Sequence, residues 1–206
     1  TAKTVADGYV LNGAKMWITN GTMADVAVVW GRLDGGTIRG FLVEKGTKGY
    51  TAPEQKRKYS LRASVTSELI LQDVHVSKDA ILPNGSGLKA PLGCLTQARY
   101  GIAWGVLGAA MACYHSALEY AKVRIMFGKP IGSFQLIQGK FADMVTEITK
   151  GQLLALQVGR LKEQKQATPE MVSMAKRNNC EIALDIAREA RDLLGANGIT
   201  AEYPVI

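Results

Sequence analysis

Histidine and cysteine are scarce in this chain, and their scarcity removes most hydrolytic and metal chemistry. Of 206 residues only two are His and three are Cys. His75 and His115 lie in segments of different expected structure and read as an ordinary strand residue and an ordinary helix residue. Cys94, Cys113 and Cys180 form no C-x-x-C pair, which argues against a zinc site or a disulfide framework and for buried structural thiols in a reducing compartment. There is no G-x-S-x-G, no H-E-x-x-H and no P-loop. Long apolar runs are also lacking: AWGVLGAAMAC falls short of the roughly 18 residues that a membrane span needs, and TAKTVADGYV has no signal-peptide core. The chain starts at Thr1 and stops at YPVI without a closing cap, so it is expected to be a piece of a longer protein.

What is present is enough to fold. Hydrophobic residues make up 47% of the chain, sufficient for one large domain or two smaller ones. The balance of 25 basic to 18 acidic residues gives a net charge of +7, a field that attracts anions without naming one. The only dense basic cluster, Lys56-Arg57-Lys58, is too short and too poor in interleaved aromatics for a nucleic-acid surface, and reads as a solvated loop or strand edge.

The patterning changes halfway. Strand-like runs occupy YVLNGAKMWITN, DVAVVWGRL, TIRGFLVEKG, GYTAPEQ and SELILQDVHV, with Asn12-Gly13 expected to form a type I′ hairpin turn. Short strands at this spacing predict an antiparallel sandwich or barrel over residues 1–84, closed by the turn LPNGSG. Helical period then takes over in 85–206. One helix is expected over about Leu88 to Met126, where Gly101, Gly105 and Gly108 predict close helix packing. A second is expected over about Gln135 to Gln166, with Phe141, Val145, Ile148 and Leu156 on one face. The third starts at Thr168 as N-cap and Pro169 as first helical residue, carries Val172, Ala175, Ile182, Ile186 and Leu193, and stops near Gly195. Acidic residues such as Glu181 and Asp185 lie among basic ones and read as a solvated helix face. The whole is an α+β multidomain chain in which an incomplete up-down helical bundle follows the β domain, a fourth helix being expected beyond Ile206.

Composition and spacing yield no reaction. The segments KMWITNG, RIMFGKPIGSFQ, ADM and RDLLGANGI, in that order, resemble the acyl-CoA dehydrogenase family over essentially the whole chain. SLRASVTSE, CLTQARYGIAWGVLGA, PEMVSMAKRNN and DIAREARDLLGANGI resemble more particularly its members that oxidise glutaryl-CoA, in lysine and tryptophan degradation. The resemblance implies an FAD enzyme that oxidises a Cα-Cβ bond of an acyl-CoA thioester, with decarboxylation to crotonyl-CoA in that subfamily. Another acyl-CoA dehydrogenase, a related flavin oxidase or monooxygenase, or a non-catalytic remnant stands as the alternative.

By the same resemblance, Trp17 packs against the flavin, and Ile18 and Thr19 contact its ring, with the Thr19 hydroxyl near N5. Arg124, Phe127 and Gln135 reach the FAD of a neighbouring subunit, and Asp192, Leu193, Leu194, Gly195 and Ala196 complete that contact, which implies a homo-oligomer, a dimer of dimers. Leu92, Thr96, Gln97 and Arg99 line the acyl-CoA cleft. No residue of this chain is assigned as catalytic base. One family position for the glutamate is Ala98 here, and the other is expected a short way beyond Ile206. Electron-transfer flavoprotein is the implied partner, with neither nucleic acid nor membrane insertion, in bacterial cytoplasm or mitochondrial matrix.

Overall fold

The computed structural model describes residues 1–206 and divides into two compact units, Thr1–Gly93 and Cys94–Ile206. The first is a β sandwich. Strands β1 (Ala2–Val5), β2 (Gly8–Thr19), β3 (Val26–Arg32), β4 (Ile38–Glu44), β5 (Tyr50–Thr51), β6 (Thr66–Ser77) and β7 (Ile81–Ser86) form two antiparallel sheets, ordered β1-β2-β6-β5 and β3-β4-β7. Inward residues of both sheets, Leu11, Leu69, Leu71 and Val74 from one and Val29, Phe41 and Val43 from the other, make a single core. Tyr9 meets the Phe41 ring edge-on at 5.3 Å between centroids.

The expected hairpin at Asn12-Gly13 does not form. Both flanking runs pair with the same long neighbour β6, so β2 continues unbroken through twelve residues. The register shifts there because β6 carries an extra residue around Asp73, whose φ is 50°. Asn12 closes that bulge from the facing strand: its Nδ2 donates to Asp73 Oδ1 at 2.9 Å, and the Asp73 N–H donates to Asn12 Oδ1 at 2.9 Å. The actual first turn is Ala6-Asp7, between Val5 and Gly8. LPNGSG likewise is not a closing turn but most of strand β7, paired with β4.

The second unit holds α1 (Lys89–Val123, which begins in the first unit), a two-stranded hairpin of β8 (Ile125–Met126) and β9 (Lys129–Pro130), α2 (Gln135–Glu163) and α3 (Pro169–Leu194). Thr168 caps α3 as expected: its Oγ1 accepts from the Met171 N–H, and Gly195 ends the helix at φ 58°. On α2 the buried face is Phe141, Met144, Ile148, Gly151, Ala155 and Val158, alternating three and four residues apart. Val145 and Leu156 lie one step off that stripe and are exposed.

Helix packing uses different glycines from those expected. Gly101, Gly105 and Gly108 have no atom near their Cβ positions, so they close no helix contact within this chain. Close approach occurs at Gly151, where a Cβ would stand 2.8 Å from Leu107 and 3.0 Å from Asn179 Oδ1, and at Gly159, where it would meet the Tyr100 hydroxyl. Asn179, fully buried on α3, donates through Nδ2 to the Ala103 carbonyl at 2.9 Å and the Gly151 carbonyl at 3.2 Å, joining three helices.

The cysteines are free but not uniformly buried: Cys94 is exposed, Cys180 intermediate, and only Cys113 sits in the core, where burial raises its thiol pKa. By length and composition α1 is apolar enough to cross a membrane, with an 18-residue window of mean hydropathy 1.2, 28% of it buried. Run length misses this because small residues, not one aliphatic block, carry the hydropathy. Its inner face of Ala103, Leu107, Ala110, Cys113, Ala117 and Ala121 packs in the helical core.

Candidate functional site

Two aromatic side chains are presented to solvent from backbone that L-residues avoid. Between Lys15 and Ile18, β2 carries one residue more than β6, and Trp17 sits in that bulge at φ 62° with 68% of its surface exposed. A bulky residue in the left-handed region costs about 1–3 kcal/mol, and such strain concentrates at working sites. A ring of this size in a half-open sheet gains burial when turned inward, yet the bulge turns it out.

Ile18 and Thr19 are held between two left-handed residues, Trp17 and Asn20 (φ 60°). Thr19 is exposed and Ile18 half-buried. The corner that follows is pinned by Ser67, whose fully buried Oγ donates to the Ile18 carbonyl at 3.1 Å and accepts from the Thr22 N–H at 3.0 Å. Gly21 lets this happen, because a Cβ there would lie 2.5 Å from that oxygen. The Asn20 N–H donates to the Val65 carbonyl at 2.9 Å.

The second aromatic, Phe127, forms the turn of the β8–β9 hairpin with Gly128. Both have positive φ, 50° and 79°, the pattern of a type I′ turn. Glycine takes this conformation freely, whereas Phe127 is strained in it and is 90% exposed. The hairpin is tied at its base by the Ile131 N–H donating to the Arg124 carbonyl and the Arg124 N–H to the Tyr120 carbonyl, both at 2.9 Å. Phe134, one residue before α2, meets the Phe127 ring edge-on at 6.3 Å and carries Lys129 Nζ over its face at 4.3 Å. Arg124 and Gln135 are exposed beside this ring pair. A guanidinium, an amide and an exposed ring in one turn can bind an anion and a planar group together.

Of the segment ending α3, Leu193 and Leu194 are spent in the helical core. α3's apolar stripe reaches its last residues, so within Asp192 to Ala196 only Asp192, Gly195 and Ala196 are exposed. Asp192 shares Lys140 Nζ with Glu189, at 2.9 Å and 2.5 Å, and the hydrogen bonds that the ammonium donates to Glu189 and then Asp192 raise the Lys140 pKa above its usual value.

Leu92, Thr96, Gln97 and Arg99 all lie in the first turns of α1, Leu92 and Gln97 exposed and Thr96 and Arg99 intermediate. The Gln97 side-chain Oε1 accepts from Lys162 Nζ at 2.8 Å. Ala98 offers only a methyl group. No trio of His, Cys, Asp or Glu is placed to hold a metal ion. The residues that sequence reasoning missed are Ser67, Gly21, Lys129 and Phe134. The signals available were the glycine directly after Ile-Thr-Asn and the second phenylalanine of RIMFGKPIGSFQ.

Comparison with known proteins is consistent across the chain. The family described as acyl-CoA dehydrogenase, middle domain, matches residues 1–74, and acyl-CoA dehydrogenase, C-terminal domain, matches residues 85–206. The short-chain specific acyl-CoA dehydrogenase of Homo sapiens mitochondria is 37% identical over 99% of this chain and 51% of the human protein. The crystal structure of glutaryl-CoA dehydrogenase from Mycobacterium smegmatis matches with a TM-score of 0.96 at 55% identity, covering 99% of this chain and 52% of that one. A glutaryl-CoA dehydrogenase from the same organism, in complex with FADH2, matches with a TM-score of 0.96 at 50% identity over 99% and 53%. The chain thus spans about half the length of the curated relatives it matches.

Proposed function

The chain belongs to the acyl-CoA dehydrogenase family, whose members are FAD-dependent, and from that premise we propose that it supplies the flavin-facing walls of an enzyme that oxidises an acyl-CoA thioester, glutaryl-CoA in particular. The observation that carries the reading is the pair of exposed rings, Trp17 and Phe127, each held on left-handed backbone. Structure spends strain on presenting a ring to solvent where a planar ligand covers it.

The residues fit the cofactor. Trp17 supplies an aromatic wall, Thr19 a hydroxyl donor, and Arg124 a cation for a pyrophosphate. FAD, when bound, accepts the hydride removed from the substrate β-carbon. Trp17 and Ile18 exclude water from that face, and Thr19 donates a hydrogen bond toward the ring edge. Arg124, Phe127 and Gln135 hold the cofactor of a neighbouring subunit, with the segment Asp192 to Ala196 beside them, so that two copies share each site. Leu92, Thr96 and Arg99 face the acyl-CoA, whose anionic carrier suits a chain of net charge +7. Proton abstraction from the α-carbon falls to a carboxylate outside residues 1–206, because Ala98 has no acidic group. The electrons pass to an electron-transfer flavoprotein in a bacterial cytoplasm or mitochondrial matrix. The substrate assignment draws on the glutaryl-CoA dehydrogenase similarity, at 55% identity against 37% for the short-chain enzyme.

The test is an anaerobic absorbance scan of the full-length parent before and after glutaryl-CoA. Bleaching of a flavin band supports both cofactor and substrate. A band indifferent to glutaryl-CoA moves the substrate elsewhere in the family, and absence of flavin overturns the reading. Arg124→Ala should weaken FAD retention by about 10- to 100-fold through loss of a charged hydrogen bond. Unchanged retention removes Arg124 from the site.

A further inference from the structure

The basic run Lys56-Arg57-Lys58 is not uniformly solvated: Lys56 and Arg57 are exposed, whereas Lys58 is half-buried. Lys58 Nζ donates to the Leu61 carbonyl at 2.9 Å, to the Ser64 carbonyl, and to Thr66 Oγ1 at 2.8 Å. An ammonium has three donors, and all three are used on one short loop. None of the acceptors is a carboxylate, so the charge is held by dipoles.

The loop has little else to fold around. Tyr59 and Leu61 are fully or largely exposed, and Leu61 is held at φ 49°. Inside the loop the Ser64 N–H donates to the Leu61 carbonyl at 3.0 Å. The cation therefore does for residues 58–66 what a small apolar core does elsewhere. The end of this loop is the start of β6, and β6 meets the flavin-facing corner directly. The Val65 carbonyl accepts the Asn20 N–H, and Thr66 stands opposite Thr19 in the strand register. Lys58 thus bonds to Ser64 and Thr66 on either side of Val65, Val65 bonds to Asn20, and Thr66 faces Thr19 across the strand pair.

We propose that Lys58 is a positioning residue for the cofactor site: its ammonium gathers the 58–66 loop into a brace that fixes Thr19, and with it Trp17 and Ile18, against the flavin. The assignment rests on the reading that Trp17 to Thr19 face a flavin. It requires a compact cation. A methionine of similar length has no donor, and an arginine's planar fork cannot converge three donors around one point.

The experiment compares Lys58→Met with wild type and with Lys56→Met in the full-length parent, reading two quantities. One is hydrogen exchange at the Asn20 amide; the other is the shape and position of the bound flavin's visible band at equal flavin occupancy. Lys58→Met should speed exchange at Asn20 by about tenfold or more and change the band, while Lys56→Met changes neither. A Lys58→Met protein with wild-type exchange and a wild-type band overturns the proposal and leaves the flavin reading intact. Faster exchange with an unaltered band also overturns it, since that is the mark of a purely structural lysine. A wild-type protein without flavin overturns the flavin reading and the positioning role with it. If Lys58→Met does not fold, Thr66→Val removes one of the three acceptors, and smaller changes in the same two readouts are then required.

Discussion

Asn179 on α3 donates to the carbonyl of Gly151 on α2 at 3.2 Å, and a side chain at residue 151 would crowd that amide, its Cβ standing 3.0 Å from Asn179 Oδ1. The same amide nitrogen reaches the Ala103 carbonyl on α1. One buried polar side chain thus holds three helices at a single level.

Gly151→Ala should destabilise the helical unit by about 1–3 kcal/mol, the usual cost of overpacking. The added methyl meets Leu107, Asn179 Oδ1 and Ile182 within 3.0 Å. Thermal unfolding of the full-length parent checks this, and an unchanged midpoint shows that the helices can separate without loss.

Asn179→Ala should cost about 2–3 kcal/mol, because it strips the Ala103 and Gly151 carbonyls of a shared partner inside a core. Asn179→Asp should cost at least as much, since it places a carboxylate where two carbonyl oxygens converge. Denaturant unfolding of the two variants measures both values.

Trp17→Gly separates strain from function. Relief of the left-handed backbone offsets the entropy of a new glycine, so the cofactor-free protein should keep its melting temperature. Flavin retention should fall in the same variant. A large drop in melting temperature would return Trp17 to a structural role.

Lys140 makes stability depend on alkaline pH. Its hydrogen bonds to Glu189 and Asp192 raise its folded-state pKa above the ordinary lysine value of about 10.5. A group with a raised folded pKa contributes fully below its unfolded value and loses that contribution as pH rises through the folded one. Relative to Lys140→Met, wild type should hold an advantage of about 0.5–1 kcal/mol at neutral pH, vanishing only in strongly alkaline solution. Melting curves across pH 8 to roughly 12 test this.

The fold was largely legible because its signals are local and periodic. Thr168-Pro169 marks the start of α3, and the change from period two to period 3.6 separates sheet from helix. The errors arose where tertiary pairing overrode a local preference. Asn12-Gly13 has the chemistry of a turn, but β6 alongside kept β2 extended, and Asn12 served a bulge instead. A true two-residue turn with both φ positive occurs at Phe127-Gly128, where no propensity scale places a phenylalanine. Gly101, Gly105 and Gly108 mimic a packing stripe, yet the packing glycines are Gly151 and Gly159, whose role depends on residues far away in sequence. At the candidate site, resemblance named the residues. It said nothing of the strain on Trp17, the Ser67 contacts or the inward turn of Lys58, which arise only in the folded chain.

The bulge in β2 also sets how this strand tolerates length change. Four residues of β2, Lys15 to Ile18, span three of β6, Leu69 to Ser67, so the alternation of faces resets by one step at Trp17. Deleting Met16 or Trp17 restores a regular strand in which Ile18 keeps Ser67 as its partner and Thr19 keeps Thr66. The residues beyond the bulge keep their faces, and what is lost is the left-handed step that presents the Trp17 ring. Point substitutions in this segment are therefore graded in effect, whereas a one-codon deletion removes the bulge at once and spares the rest of the sheet.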